Sequence, residues 1–283
     1  MGGNVVPEHF FHRVIYVLIS GYTELLPVSA YPHQTLYEKL TGLPMTDSIV
    51  SLALRFGVLL ALVVACFGRL KRIHRESRHA RRSRKRRTRH VDHYTLVDTQ
   101  VIRTAMLIAI LGLFLYGRLD GYLEGLHWLV ILLVANGFVV FLPRITASGN
   151  KNSLSVSRLD SLLLGTGGIL GMIPGFSKLG TLQTAAHLRG VDRTYALDVA
   201  LIICIPLYLG LLIIDSVAVF SAGFSISGIT ILGYGLLALI SFGAAYLSIM
   251  VMRYYCSKAG FLSFSYYSWA LAMFTFVLYL LIQ

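Results

Sequence analysis

Four ionisable side chains stand in or beside apolar stretches where a charge is costly: Glu24, His33, Arg55 and Lys178. Inside a bilayer such groups mark sites, because an unpaired charge there is disfavoured unless it works. Glu24 could act as a general base, or as a carboxylate that holds a divalent cation or orients His33. Its structural alternative is a counter-charge for Lys178 or Arg55. His33 follows nine residues later and could serve as nucleophile, acid or base near neutral pH; the alternative is a structural histidine. Ser29 lies between them.

A second group sits in Pro174-Gly175-Phe176-Ser177-Lys178-Leu179-Gly180-Thr181, just before an expected helix over 181–189. Gly175 and Gly180 let the backbone turn N–H groups inward, and a helix N-terminus favours an anion. With the Lys178 charge and the Ser177 and Thr181 hydroxyls, these residues describe a phosphate cradle. The alternative is a glycine-rich packing break with a lysine reaching for the interface. Arg55 could bind phosphate or neutralise Glu24.

The elements that must position these groups are membrane helices. The chain has 283 residues, 56% of them hydrophobic, against 13% charged. Soluble domains carry about 25% charged residues, and about 20 apolar residues cross a bilayer. Six runs are expected to span: 47–67, 101–118, 126–143, 195–218, 227–252 and 261–282. Two more, 12–42 and 160–190, are interrupted by Glu24, Pro27, Pro32 and His33, and by glycines, Pro174 and Lys178. Each reads as a re-entrant pair of short helices, tolerated at membrane depth where protein or a wet cavity covers it. Each precedes three spans. The expected fold is therefore an all-α polytopic membrane protein built as an inverted repeat, 1–150 and 151–283. Each half holds one re-entrant helix pair and three transmembrane helices.

The net charge of +12 is local: Arg69–His90 holds twelve Lys or Arg and one acid, leaving the rest near +1. That pattern favours a basic cytoplasmic loop (69–98) over nucleic-acid binding, with attraction to anionic membrane lipids at 69–90 as a second role. Alternating outward from that loop places both termini, and Asp120 and Glu124, on the outer side. Cys66, Cys204 and Cys256 have no metal-ligand spacing and read as small buried residues. The first apolar run lacks a cleavage site of the expected kind. Aromatics near span ends, including Tyr116, Tyr267 and Trp269, read as an interfacial belt.

At the two breaks the sequence resembles the undecaprenyl pyrophosphate phosphatase family. That family carries E-G-x-T-E-F-L-P-[IV]-S-S-T-G-H, where this chain has Ser20-Gly21-Tyr22-Thr23-Glu24-Leu25-Leu26-Pro27-Val28-Ser29-Ala30-Tyr31-Pro32-His33. The family's P-G-x-S-R-S-G-x-T meets Pro174-Gly175-Phe176-Ser177-Lys178-Leu179-Gly180-Thr181-Leu182. The chain departs at Ser20, Ala30, Lys178, Leu179 and Leu182, and at Tyr267-Ser268 where the family often has Tyr-Arg. The resemblance implies a multi-pass protein of the bacterial inner (plasma) membrane with a site facing outward. It would hydrolyse a polyprenyl diphosphate to the monophosphate carrier lipid of envelope and peptidoglycan synthesis, using a divalent cation, Mg²⁺ or Ca²⁺. Glu24, Ser29 and His33 match catalytic positions, with Glu24 also a metal ligand; Ser177 and Lys178 match the phosphate-binding serine and arginine. A binding or translocating relative without hydrolysis is the alternative reading. A homodimer is compatible with either.

Overall fold

The computed structural model describes residues 6–45, 47–85, 93–119, 123, 125–146, 149–152, 155–221, 228–257 and 260–282. The described residues form ten α-helices: α1 (Val6–Glu24), α2 (Ala30–Thr41), α3 (Ser48–Lys85), α4 (His93–Leu119), α5 (Leu126–Phe141), α6 (Arg158–Leu170), α7 (Lys178–Leu188), α8 (Arg193–Ser221), α9 (Gly228–Ser257) and α10 (Ser263–Ile282). Among the described residues, five helical stretches are long and apolar enough to cross a membrane: Ser48–Arg75, Leu126–Arg144, Arg193–Ser221, Ile231–Cys256 and Ser263–Ile282. The expected span at 101–118 falls in α4, whose apolar stretch Gln100–Tyr116 is shorter. It lies at the lower end of the roughly 17–25 residues that a spanning helix needs.

Helix starts follow local chemistry. Asp47 caps α3 by accepting from the backbone N–H of Ile49 and Val50, at 3.1 and 2.7 Å. Asp192 caps α8 in the same way, through Thr194 and Tyr195 at 3.0 Å each. Ser157 and Asp160 close a reciprocal capping box at α6, so the first-turn donors of all three helices find acceptors.

The basic run departs from the expected loop. α3 continues as helix through Lys85, because Arg and Lys are good helix formers and nothing before Lys85 breaks the turn. Residues 86–92 of that run, and Asp120 and Glu124, lie outside the described residues. The Arg69 guanidinium donates to Asp198 on α8 at 2.6 Å, and Arg253 on α9 donates to the Ala65 carbonyl at 3.0 Å. The middle of α3 and the end of α9 therefore meet the start of α8, where the basic run of α3 begins.

α3 packs against both α8 and α9; α1 packs on α9, α6 on α4, and α5 on α10. Small residues allow the close approaches. A Cβ on Gly57 of α3 would sit 2.4 Å from the Ala238 carbonyl of α9, and one on Gly168 of α6 would sit 2.5 Å from Ala109 Cβ of α4. Such contacts replace the hydrophobic drive that helix association lacks in lipid. Large apolar side chains point outward instead, among them Phe114, Phe220, Leu232 and Leu281.

Candidate active site between two helix breaks

The first break is Leu25–Ser29, between α1 and α2. Pro27 has no N–H to continue a helix and disfavours helical geometry at Leu26. Ser29 occupies the N-cap of α2 in extended geometry, yet its side chain makes no capping hydrogen bond. Pro32 falls in the first turn of α2, where a missing N–H costs nothing.

The second break runs from Gly171 to Ser177, between α6 and α7. Ile173-Pro174-Gly175-Phe176 closes with Phe176 N–H donating to the Ile173 carbonyl at 3.1 Å. Gly175 sits at φ +89°, as the third residue of a type II turn requires. A Cβ there would come within 2.5 Å of Leu132 Cβ, so glycine is fixed by φ and by space together. Ser177 caps α7, accepting from the Gly180 N–H at 3.0 Å.

The two breaks touch. Ser177 Oγ donates to the Leu26 carbonyl at 2.7 Å. Asn136 of α5 clamps both: its Oδ1 accepts from Ser177 N–H at 2.9 Å, and its Nδ2 donates to Pro27 O at 3.4 Å and Ser268 Oγ at 3.2 Å. Asn136 is fully buried, and these bonds remove the cost of an amide in the interior. Lys178 Nζ pairs with Glu24 Oε1 at 3.1 Å and stands 5.3 Å from the centre of the Tyr208 ring. Tyr208 O–H donates to the Glu24 carbonyl at 3.3 Å.

Above this contact lies a cavity of about 490 Å³, lined among others by Glu24, Ser29, Glu38, Arg55, Tyr116, Gly175 and Lys178. Five of the sequence-derived residues (Glu24, Ser29, Arg55, Gly175 and Lys178) thus share one space. Ser177, Gly180 and Thr181 do not line it. Ser177 is committed to Leu26 and Gly180, Thr181 Oγ1 donates to the Ser177 and Lys178 carbonyls at 2.9 and 3.1 Å, and Gly180 faces Pro27. These three build the turn. Of the expected cradle N–H groups, those of Phe176, Ser177, Gly180 and Thr181 already have acceptors. Gly175 and Lys178, which line the cavity, keep theirs.

Arg55 makes no ion pair with Glu24 among the described residues. Its Nη1 pairs with Asp215 Oδ1 of α8 at 2.6 Å and donates to the Leu211 carbonyl at 3.2 Å, while Nη2 donates to Tyr116 Oη at 2.7 Å. Asp215 Oδ2 is buried without a partner among the described residues. Asp215, Asn136 and Tyr208 were missed in the sequence. An acid and an amide inside apolar runs were the available signals for the first two.

His33 lies elsewhere. It faces a separate, largely apolar pocket of about 500 Å³ with Leu18, Leu26, Val28 and Tyr267. Its Nδ1–H donates to the Ser29 carbonyl at 2.7 Å, and Nε2 lies 2.7 Å from Tyr267 Oη with the rings stacked. Ser29 and His33 are one helical turn apart, so this bond fixes the backbone of the cavity-facing serine.

No group of three or more His, Cys, Asp or Glu able to hold a metal occurs among the described residues. Mg²⁺ is commonly held by one or two carboxylates together with substrate phosphates and water. Glu24, facing the cavity with Glu38 on the same lining, meets that smaller demand.

The model of the family described as "Bacitracin resistance protein BacA" matches residues 13–274. The chain is 24% identical to an undecaprenyl-diphosphatase of Carboxydothermus hydrogenoformans, over 95% of this chain and 97% of that protein. It is 26% identical to proteins of the same name from Chromohalobacter salexigens (91% and 94% covered) and Lactiplantibacillus plantarum (91% and 93%).

Proposed function

We propose, from the premise that the chain belongs to the BacA family, that it is an integral membrane undecaprenyl-diphosphatase. It converts the lipid diphosphate to the monophosphate carrier lipid and inorganic phosphate. The observation that carries this reading is the meeting of the two breaks, with Glu24 and Lys178 in contact beneath a polar cavity. The binding-only alternative is not favoured, since full-length relatives are diphosphatases and Glu24 and Ser29 face the cavity.

In this reading Lys178, Arg55 and the N–H groups of Gly175 and Lys178 hold the diphosphate. Positioning and charge stabilisation do most of the catalytic work in phosphoryl transfer. Glu24 takes the proton of the attacking water, which Ser29, whose hydroxyl is free of capping, is placed to orient; the water oxygen leaves in the inorganic phosphate. The P–O bond to the bridging oxygen breaks, and the lipid monophosphate leaves. A divalent cation, Mg²⁺ or Ca²⁺, held by Glu24 with the substrate oxygens, would neutralise charge on the phosphates. His33 acts through the Ser29 backbone rather than on phosphorus. Ser177, Gly180 and Thr181 hold the shape of the turn.

The architecture proposed is the inverted repeat, with halves 1–150 and 151–283. The packing supports it. Exchanging α1–α5 with α6–α10 turns the α1–α9 contact into the α6–α4 contact, and leaves the α3–α8 and α5–α10 pairs unchanged. The caps correspond too, Ser29 with Ser177 and Asp47 with Asp192. The re-entrant pairs 12–42 and 160–190 then enter from opposite faces of the bacterial inner membrane. The cavity faces outward, and the basic stretch 69–90 rests against anionic lipid on the cytoplasmic side. A homodimer is consistent with the exposed apolar faces. Phosphate release from a polyprenyl diphosphate by the purified protein, with Mg²⁺ or Ca²⁺, tests the activity. Release that Glu24→Gln abolishes supports it; no release under any cation refutes it.

A further inference from the structure

The C-terminal end of α7 lines a second pocket, of about 290 Å³, at the end of the molecule away from the cavity. We propose that this pocket binds the phosphate-monoester head of a membrane lipid. Lys178 begins α7 at the cavity and His187 ends it at the pocket, so about 14 Å of helix rise separates the two. The pocket shares its end with Arg69, Asp198 and Arg253, where the basic run of α3 emerges.

The charge pattern carries the proposal. Arg144, in the turn after α5, and Arg193, at the start of α8, both line the pocket, and none of its described lining residues is acidic. Other arginines at this end are engaged: Arg69 with Asp198, Arg189 with Asp160, Arg253 with the Ala65 carbonyl. Neither Arg144 nor Arg193 makes a hydrogen bond or ion pair among the described residues. Two uncommitted guanidinium groups on one pocket suit a phosphate dianion.

The backbone permits it. A helix C-terminus repels anions through its free carbonyls, but those of Ala186 and His187 at the end of α7 are capped. Ala186 O accepts from Arg189 and Val191 N–H at 3.1 Å each, His187 O from Gly190 N–H at 2.9 Å, and Gly190 O from Lys151 N–H at 3.0 Å. The Gly190 turn is held by a close pass of Gly149, where a Cβ would collide with the Gly190 carbonyl. Thr146 adds a hydroxyl to the lining, and one wall is apolar, with Val140, Pro143 and Leu262 beside Phe261, on which the His187 ring stacks. A basic mouth with an apolar wall at the ends of α5 and α10 fits a lipid head better than a free ion.

Native mass spectrometry of the full-length protein in detergent tests this, with dioctanoyl phosphatidic acid as the probe. The wild type should retain it even when the diphosphate cavity is saturated with a non-hydrolysable lipid diphosphonate. Arg144→Gln/Arg193→Gln should weaken it at least tenfold while polyprenyl diphosphate hydrolysis stays within twofold. Equal binding by the double variant overturns the proposal. So does equal binding of phosphatidylglycerol, a phosphodiester, or inorganic phosphate alone as tight as the lipid. Should the double variant not fold, each single variant is read alike, and loss of the probe from wild type under diphosphonate overturns the proposal without any variant.

Discussion

Lys178→Met should separate the structural from the chemical use of the central ion pair. At 3.1 Å and an effective dielectric near 20, the attraction is about 5 kcal/mol before desolvation. Desolvation offsets much of it, but removing only the cation leaves Glu24 buried, at 9% exposure, without a partner. Breaking one side of such a pair typically costs about 3–5 kcal/mol. Glu24→Gln should cost less, because Lys178 keeps the Tyr208 ring. The double variant Glu24→Gln/Lys178→Met should then be more stable than the sum of the singles, by about 1–3 kcal/mol, as expected for groups in contact. The assay is denaturant unfolding in mixed micelles, followed by tryptophan fluorescence. Phosphate release should be absent from all three variants and present in Lys178→Arg, which keeps the charge. Additivity within about 0.5 kcal/mol, or activity in the stable double variant, would refute the reasoning.

Ser29→Ala should abolish phosphate release yet unfold within about 1 kcal/mol of wild type, since the buried hydroxyl makes no capping bond to lose and a net hydrogen bond is worth about that much; a folded, active variant removes Ser29 from the chemistry. Asn136→Leu should lower stability by about 1–3 kcal/mol, leaving the Ser177 N–H without its acceptor, and reduce turnover through the displaced turns; unchanged unfolding would contradict the clamp. Burial raises the Asp160 pKa, but the Ser157 backbone N–H, Arg189, the Ser157 hydroxyl and Lys151 lower it more, to about 2. Its stabilisation is therefore full above the unfolded value of about 3.9 and is lost as pH falls through about 2. Asp160→Asn should unfold far more easily than wild type at pH 6, with the gap closing toward pH 2; a gap independent of pH would be against this.

The sequence exposed the parts of the site whose signal is energetic. A glutamate and a lysine inside apolar runs, each beside a proline break, could not be explained as ordinary span residues, and they meet in the structure. Orientation was not legible. Whether His33 turns toward the cavity or toward Tyr267 depends on the facing of the first turn of α2, and hydropathy carries no such information. The hydroxyls of Ser177 and Thr181 bond backbone carbonyls in the structure, a use the sequence does not separate from phosphate binding, because hydroxyls at a helix start serve ligands and caps equally well. Asp215 obeyed the same rule that found Glu24, but it lies near the end of a long apolar run, where an acid also reads as interfacial. The basic run reads as loop in the sequence because charge tells which side of the membrane a segment occupies, not whether it is helical.

The most direct measurement is a structure of the protein with a non-hydrolysable polyprenyl diphosphonate. The terminal phosphorus should lie between the Glu24 carboxylate and the Lys178 ammonium, with the Pro27 and Ser177 turns still in contact. A headgroup bound anywhere else, or turns drawn apart with no phosphorus between them, would contradict the account.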